Sequence, residues 1–287
     1  MRAPALLAAA ILAPIFARAD DGALCAPPPG NLPIAAPLEH VAARLNEGAP
    51  LTIVAVGSSS TSGIGASSPE LSYPSRLEVE LQRRLPRHEI SIVNRGKGGE
   101  DAPEELARLG RDVVAAHPDL AIWQVGTNAV LRRDDLGTDG EWMREGIDLM
   151  KKSGIDVVLM DMQYAPRVLE RHSYPVMEEL IANTAVEDHV GLFRRFALMR
   201  FWQSSHAADA PPMVGGDGLH MTDAGYGCLA ADLAAALVAN WQAETKLAQR
   251  AHAAPDSIAG LTTRPSVSAA SARPARETGR NDAVPFN

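Results

Sequence analysis

The 287-residue sequence has no long run of lysine or arginine, and its formal net charge is −8. Binding a phosphate backbone needs clustered cations, so this composition argues against nucleic acid and disfavours any anionic polymer as principal partner. It says less about a small substrate, because a local pocket can oppose the global sign. Apolar runs are short as well. The first, Ala3 to Phe16, falls below the ~20 residues that span a bilayer, and Pro4 and Pro14 interrupt it. With Arg2 before it and Ala17-Arg18-Ala19 after it, it reads as a signal peptide over residues 1–19. The expectation is an exported, periplasmic or secreted protein whose mature chain begins near Asp20, with no stable membrane anchor after cleavage. Leu24 directly before Cys25 makes a poor lipoprotein site. There are only two cysteines, and neither has a histidine or a helix start nearby to activate it, so a catalytic thiol is not expected. In an oxidising compartment Cys25 and Cys228 can form a disulfide tying the mature N-terminus to a late helix; two free thiols are the alternative. Internal repeats are absent.

Residues 20–48 are rich in proline and alanine, with Pro27-Pro28-Pro29-Gly30 forbidding regular structure, and read as a leader ending in a short helix from Pro37 to Leu45. The domain proper is expected over residues 49–245, and 246–287, made largely of Ala, Ser, Pro, Thr and Arg without apolar periodicity, as a disordered tail. Within the domain, strands are expected at Leu51–Val56, Ile90–Val93, Asp119–Val125, Asp156–Met162 and Val190–Arg194. Between them lie helical patterns at Leu71–Leu85, Pro103–Ala116 and Gly140–Lys152 and a polar amphipathic segment at Tyr174–His189, and a last helix spans Thr222–Trp241. Alternating strands and helices predict a five-stranded parallel sheet covered on both faces, a three-layer α/β/α sandwich of flavodoxin-like type. Ligands of such sheets bind outside the carboxyl ends of the strands, where the loops after Val56, Val93 and Val125 emerge.

The first strand empties into Gly57-Ser58-Ser59-Ser60-Thr61, followed by Gly63 and Gly65. Glycine permits a sharp exit, and small hydroxyl side chains leave room for a ligand. A serine becomes a useful nucleophile only when a base takes its proton. Of eight histidines, His220 stands out because Asp217 lies three residues before it. An Asp-x-x-His turn can fold its carboxylate back onto the imidazole, fixing the tautomer and stabilising the imidazolium. A surface turn ahead of a helix capped by Thr222 is the plainer reading.

Four separated blocks resemble the SGNH hydrolases, also called GDSL esterases and lipases, over roughly Leu51 to Asn240. Gly57-Ser58-Ser59 is similar to the Gly-Asp-Ser block and implies Ser59 as nucleophile. Asn94 to Gly99 resembles the Asn-x-x-x-x-Gly block, and Gly126-Thr127-Asn128 the Gly-x-Asn block. The resemblance thus implies an oxyanion hole from Ser59, Gly99 and Asn128. Asp217-Gly218-Leu219-His220 resembles the Asp-x-x-His block, with Thr222 to Tyr226 opening the last helix as usual. Two positions depart from the family pattern: Ser58 replaces the Asp before the nucleophile, and Ala129 the Asp after the asparagine.

Further residues are weaker candidates. Gln163 and Tyr164, leaving the fourth strand, are expected to line the substrate pocket, with Trp202 and Met213 as further possibilities. Asp161 with Asp217 and His220 could in principle hold a metal, but no tight cluster of ligands supports one. No cofactor is expected. The function implied is an exported serine esterase acting on a small-molecule or carbohydrate ester. The alternatives are acyl transfer to a carbohydrate and a non-catalytic phosphate- or flavin-binding protein.

Overall fold

A computed structural model describes residues 24–28, 33–133 and 135–253 of the chain. The signal-peptide stretch, part of the leader and the tail beyond Ala253 lie outside the described residues. Five strands, β1 (Leu51–Gly57), β2 (Ile90–Gly96), β3 (Leu120–Gln124), β4 (Asp156–Met160) and β5 (Gly191–Phe193), form one sheet in the order β2-β1-β3-β4-β5. Every pairing is parallel. Ten α-helices are described: α1 (Glu39–Glu47), α2 (Ser59–Ser62), α3 (Tyr73–Arg84), α4 (Ala102–Asp112), α5 (Thr127–Arg132), α6 (Asp139–Lys152), α7 (Pro166–Leu169), α8 (Tyr174–Glu187), α9 (Arg195–Ser205) and α10 (Asp223–Ala253).

Alternate residues of the central strands feed two separate cores. Ile53 and Ala55 of β1, Ile122 of β3 and Met160 of β4 pack with Leu77 and Leu81 of α3 and Leu233 and Leu237 of α10. Val54 and Val56, Trp123 and Leu159 face the other way, onto Leu109 of α4, Ile147 of α6 and Ile181 of α8. Strands buried on both faces read as continuous apolar runs, as Leu51 to Val56 does. The result is the expected three-layer α/β/α sandwich.

Several boundaries differ from the sequence expectation. β2 runs three residues past Val93, because Asn94, Arg95 and Gly96 pair with Ala55, Val56 and Gly57; the parallel ladder overrides the low strand preference of Asn and Gly. The stretch read as a leader is partly built into the fold. Ile34, Leu38 and Val41 are buried in the α3/α10 core, and Asn240 donates to the carbonyls of Ile34 and Ala36 at 2.8 and 2.9 Å. Cys25 and Cys228 are disulfide-bonded, joining positions 203 residues apart at a Cα separation of 4.8 Å. The last helix does not stop at Trp241 but continues through Ala253, so residues 246–253, assigned to the tail, are helical. Helix α9 has no counterpart in the sequence expectation; it begins at Arg195, an arginine that is fully buried.

Candidate active site

Ser59 opens α2 immediately after β1. Its hydroxyl lies 2.9 Å from Nε2 of His220, and Nδ1 of His220 lies 2.5 Å from Oδ2 of Asp217. Local geometry brings the carboxylate and the imidazole together. Residues Met213 to Thr222 fold back on themselves through a Val214–Met221 bridge, with the Gly215 N–H donating to the His220 carbonyl at 2.8 Å. Inside this turn the other Asp217 oxygen accepts the backbone N–H groups of Leu219 and His220, both at 3.0 Å. Burial pushes the Asp217 carboxyl up, but the His220 side chain and these two N–H donors outweigh it and hold it at about 2. The turn reaches the serine because the chain after α2 is pinned to the start of α10. Ser67 donates to Asp223 from its N–H at 2.8 Å and its hydroxyl at 2.6 Å, and the Tyr226 hydroxyl donates to the Ile64 carbonyl at 2.6 Å.

The loop after β2 stands on the other side of the serine. Gly96 is required for close packing: a Cβ there would lie 2.1 Å from the Ser62 nitrogen, so only glycine lets α2 sit on the end of β2. Gly99 is constrained differently. A Cβ at Gly99 would meet nothing nearer than the Arg132 guanidinium at 3.8 Å; it is φ of +83° that favours glycine. Asn128, at the start of α5, donates from Nδ2 to the Glu100 carbonyl at 2.6 Å, bringing the third strand exit against this loop. Glu100 is held by Arg108 at 2.5 Å and Lys97 at 2.7 Å. Burial raises the Glu100 carboxyl, and those two cations more than reverse it, leaving it below the ordinary range.

The weaker candidates have other places. Gln163 is buried, its side-chain oxygen accepting from Thr127 Oγ1 and Arg195 Nη2, both at 2.9 Å, so it braces the β4 exit instead of lining an open pocket. Tyr164 is half-buried, edge-on to Phe196 at 5.2 Å between ring centroids. Trp202 is wholly within the core, which removes it from the pocket, and half-buried Met213 forms the base of the His220 turn. Asp161 is buried and its carboxylate accepts the Phe196 N–H at 2.8 Å.

Ser58, standing where the family pattern has Asp, is buried. Its N–H and hydroxyl both donate to Oε1 of Gln124 at 3.1 Å, and Thr61 Oγ1 donates to the same oxygen at 3.3 Å. A carboxylate at this position would meet an acceptor. Gln124 was not singled out from the sequence; its only signal was a polar residue closing an otherwise apolar strand.

The parallel sheet, with the four blocks arranged along its carboxyl edge, defines an SGNH-like hydrolase. The chain belongs to the non-GDSL lipase-like family, whose model matches residues 24–243. That name suits a sequence with Gly-Ser-Ser in place of Gly-Asp-Ser. An arylesterase of Vibrio mimicus is 27% identical over 154 residues, covering 53% of this chain and 70% of that protein. Among solved structures, a two-domain esterase active on acetylated mannans, co-crystallised with mannopentaose, superposes with a TM-score of 0.60 at 20% identity over 71% of this chain. The match covers 53% of that esterase, so this chain spans about half its length. An acetylxylan esterase from Geobacillus stearothermophilus superposes with a TM-score of 0.53 at 20% identity, over 65% of this chain and 93% of that one. At such identities these structures establish the fold.

Proposed function

We propose that this protein is an exported serine esterase that hydrolyses a short-chain, chiefly acetyl, ester on a carbohydrate or small molecule through an acyl-enzyme. The observation that carries the reading is the continuous Asp217–His220–Ser59 hydrogen-bonded line, 2.5 Å and then 2.9 Å. His220 Nε2 takes the hydroxyl proton as Ser59 Oγ attacks the acyl carbon, and Asp217 stabilises the imidazolium. The tetrahedral oxyanion is held by the backbone N–H groups of Ser59 and Gly99 and by Asn128, whose amide has a second N–H beyond the one given to Glu100. His220 returns its proton to the departing alcohol, then activates water to release the acid. The named substrates of the mannan and xylan esterases support an acetylated carbohydrate. Export is supported by the signal-like N-terminus and by the Cys25–Cys228 bond, since disulfides persist in oxidising compartments.

The test is Ser59→Ala assayed with p-nitrophenyl acetate, an acyl chain-length series, acetylated mannan and acetylated xylan. Hydrolysis is expected to vanish in a protein that still folds, with acetate the preferred acyl group. Undiminished turnover by the variant would overturn the assignment.

A further inference from the structure

The Gly99 N–H, assigned above to the oxyanion, has no protein acceptor among the described residues. Its direction is therefore set by whatever fixes the neighbouring peptide units. Two side chains from a single face of α5 do this. Asn128 donates to the Glu100 carbonyl at 2.6 Å, and Arg132, one turn later at the i+4 position, donates from Nη2 to the Gly99 carbonyl. The other arm of Arg132, Nη1, lies 3.1 Å from Glu104 Oε1, and Glu104 Oε2 accepts the Asp101 N–H at 3.0 Å. Successive carbonyls of the loop are thus gripped from α5, and the guanidinium is held in place by the first turn of α4.

We propose that Arg132 is a positioning residue for the oxyanion loop, holding Gly99 at its positive φ so that its N–H points at the reacting oxygen. The proposal rests on the Ser59 and Gly99 reading above. Arginine suits the task because its planar fork bonds a carbonyl and a carboxylate at once, which a single ammonium does less well. Arg132 and Glu104 side chains are 44% and 48% exposed. A pair so open to water adds little to stability, so removing it separates positioning from folding.

The experiment compares wild type, Arg132→Ala, Arg132→Lys, Asn128→Ala and Ser59→Ala on p-nitrophenyl acetate, recording kcat, KM and the thermal midpoint. Each is measured with and without dilute guanidinium chloride, with sodium chloride as the ionic control. Arg132→Ala is expected to lose kcat by roughly 10- to 100-fold with KM within about twofold, as slight misplacement of a reacting group does. Its thermal midpoint should stay within about 2 °C of wild type. Guanidinium should restore part of the lost kcat in Arg132→Ala and none in Asn128→Ala, with Arg132→Lys lying between Arg132→Ala and wild type. A kcat within twofold of wild type, or a loss that guanidinium does not relieve, overturns the role of Arg132. Activity surviving in Ser59→Ala would instead overturn the underlying reading, so the two failures are distinguishable.

Discussion

The two sides of Ser59 are built on opposite plans. On the side proposed to supply the base, the carboxylate, the imidazole and the donors that orient them lie within Asp217 to His220, closed by a turn from Met213 to Thr222. On the side proposed to bind the oxyanion, the loop from Lys97 to Asp101 depends on groups brought in from two other helices. Arg108 binds the Glu100 side chain and, at 2.8 and 3.2 Å, the carbonyls of Arg95, next to last in β2, and of Gly57, which ends β1. Asn128 and Arg132 take the next carbonyls, and Arg133 pairs with Asp101 at 2.5 Å. A compact turn concentrates its function in one or two atoms, whereas a loop gripped at many points spreads it. Single substitutions should therefore be all-or-nothing on the first side and graded on the second.

The largest expected effect is on the base side. Asp217→Asn keeps an oxygen for the Leu219 and His220 N–H groups, so the turn should survive, but the amide favours the wrong imidazole tautomer and carries no charge. A loss in kcat on the order of 10⁴-fold is expected, with little change in thermal midpoint. Steady-state kinetics beside a melting curve checks it. A loss of tenfold or less would mean that the base side is also distributed. Next in size is Asn128→Ala on the oxyanion side, which removes one donor and one of the ties to Glu100. About 10²- to 10³-fold in kcat is expected, with Ser59 still reacting slowly with an organophosphonate probe. A complete loss of labelling would break the contrast from that side.

The same contrast governs what was legible in the sequence. The Asp-x-x-His turn could be read because its partners are three residues apart, and the strands could be read because buried parallel strands are unbroken apolar runs. Arg108, Arg132, Arg133 and Arg195 could not, since an arginine on a helix looks solvated until its partner is known. Arg195, for instance, reaches the Asp161 carbonyl and Gln163 Oε1, 34 and 32 residues away. Trp202 was misplaced for the same reason: α9, which carries it into the core, is anchored by that buried arginine. Gly99 was legible as a block position but not in its cause, because a positive φ leaves no mark on local composition.

The smallest effect on turnover concerns a group whose charge changes with pH. The base-side carboxyl, Asp217, is held down at about 2 and is ionised throughout the neutral range. Behind the oxyanion loop, Glu105 of α4 is driven the other way. Complete burial pushes it up to about 8, partly opposed by the Trp123 Nε1 hydrogen bond at 2.7 Å and by Arg108, and reinforced by the nearby Asp101 and Glu100. An unfolded chain releases this proton near 4.5, whereas the folded chain keeps it to about 8. The stability contributed by the neutral carboxyl is therefore complete below 4.5 and is lost as pH rises toward 8, by an amount on the order of 4 kcal/mol. Glu105→Gln keeps an oxygen for Trp123 and has no proton to lose. Urea midpoints taken at pH 5 and pH 8 should fall for wild type and fall distinctly less for the variant, while its kcat for p-nitrophenyl acetate at pH 7 stays within about threefold, the loop being held by its other anchors. Equal falls in both proteins would mean that Glu105 is not the group binding that proton, and a collapse of kcat would mean that the oxyanion side hangs on one residue after all.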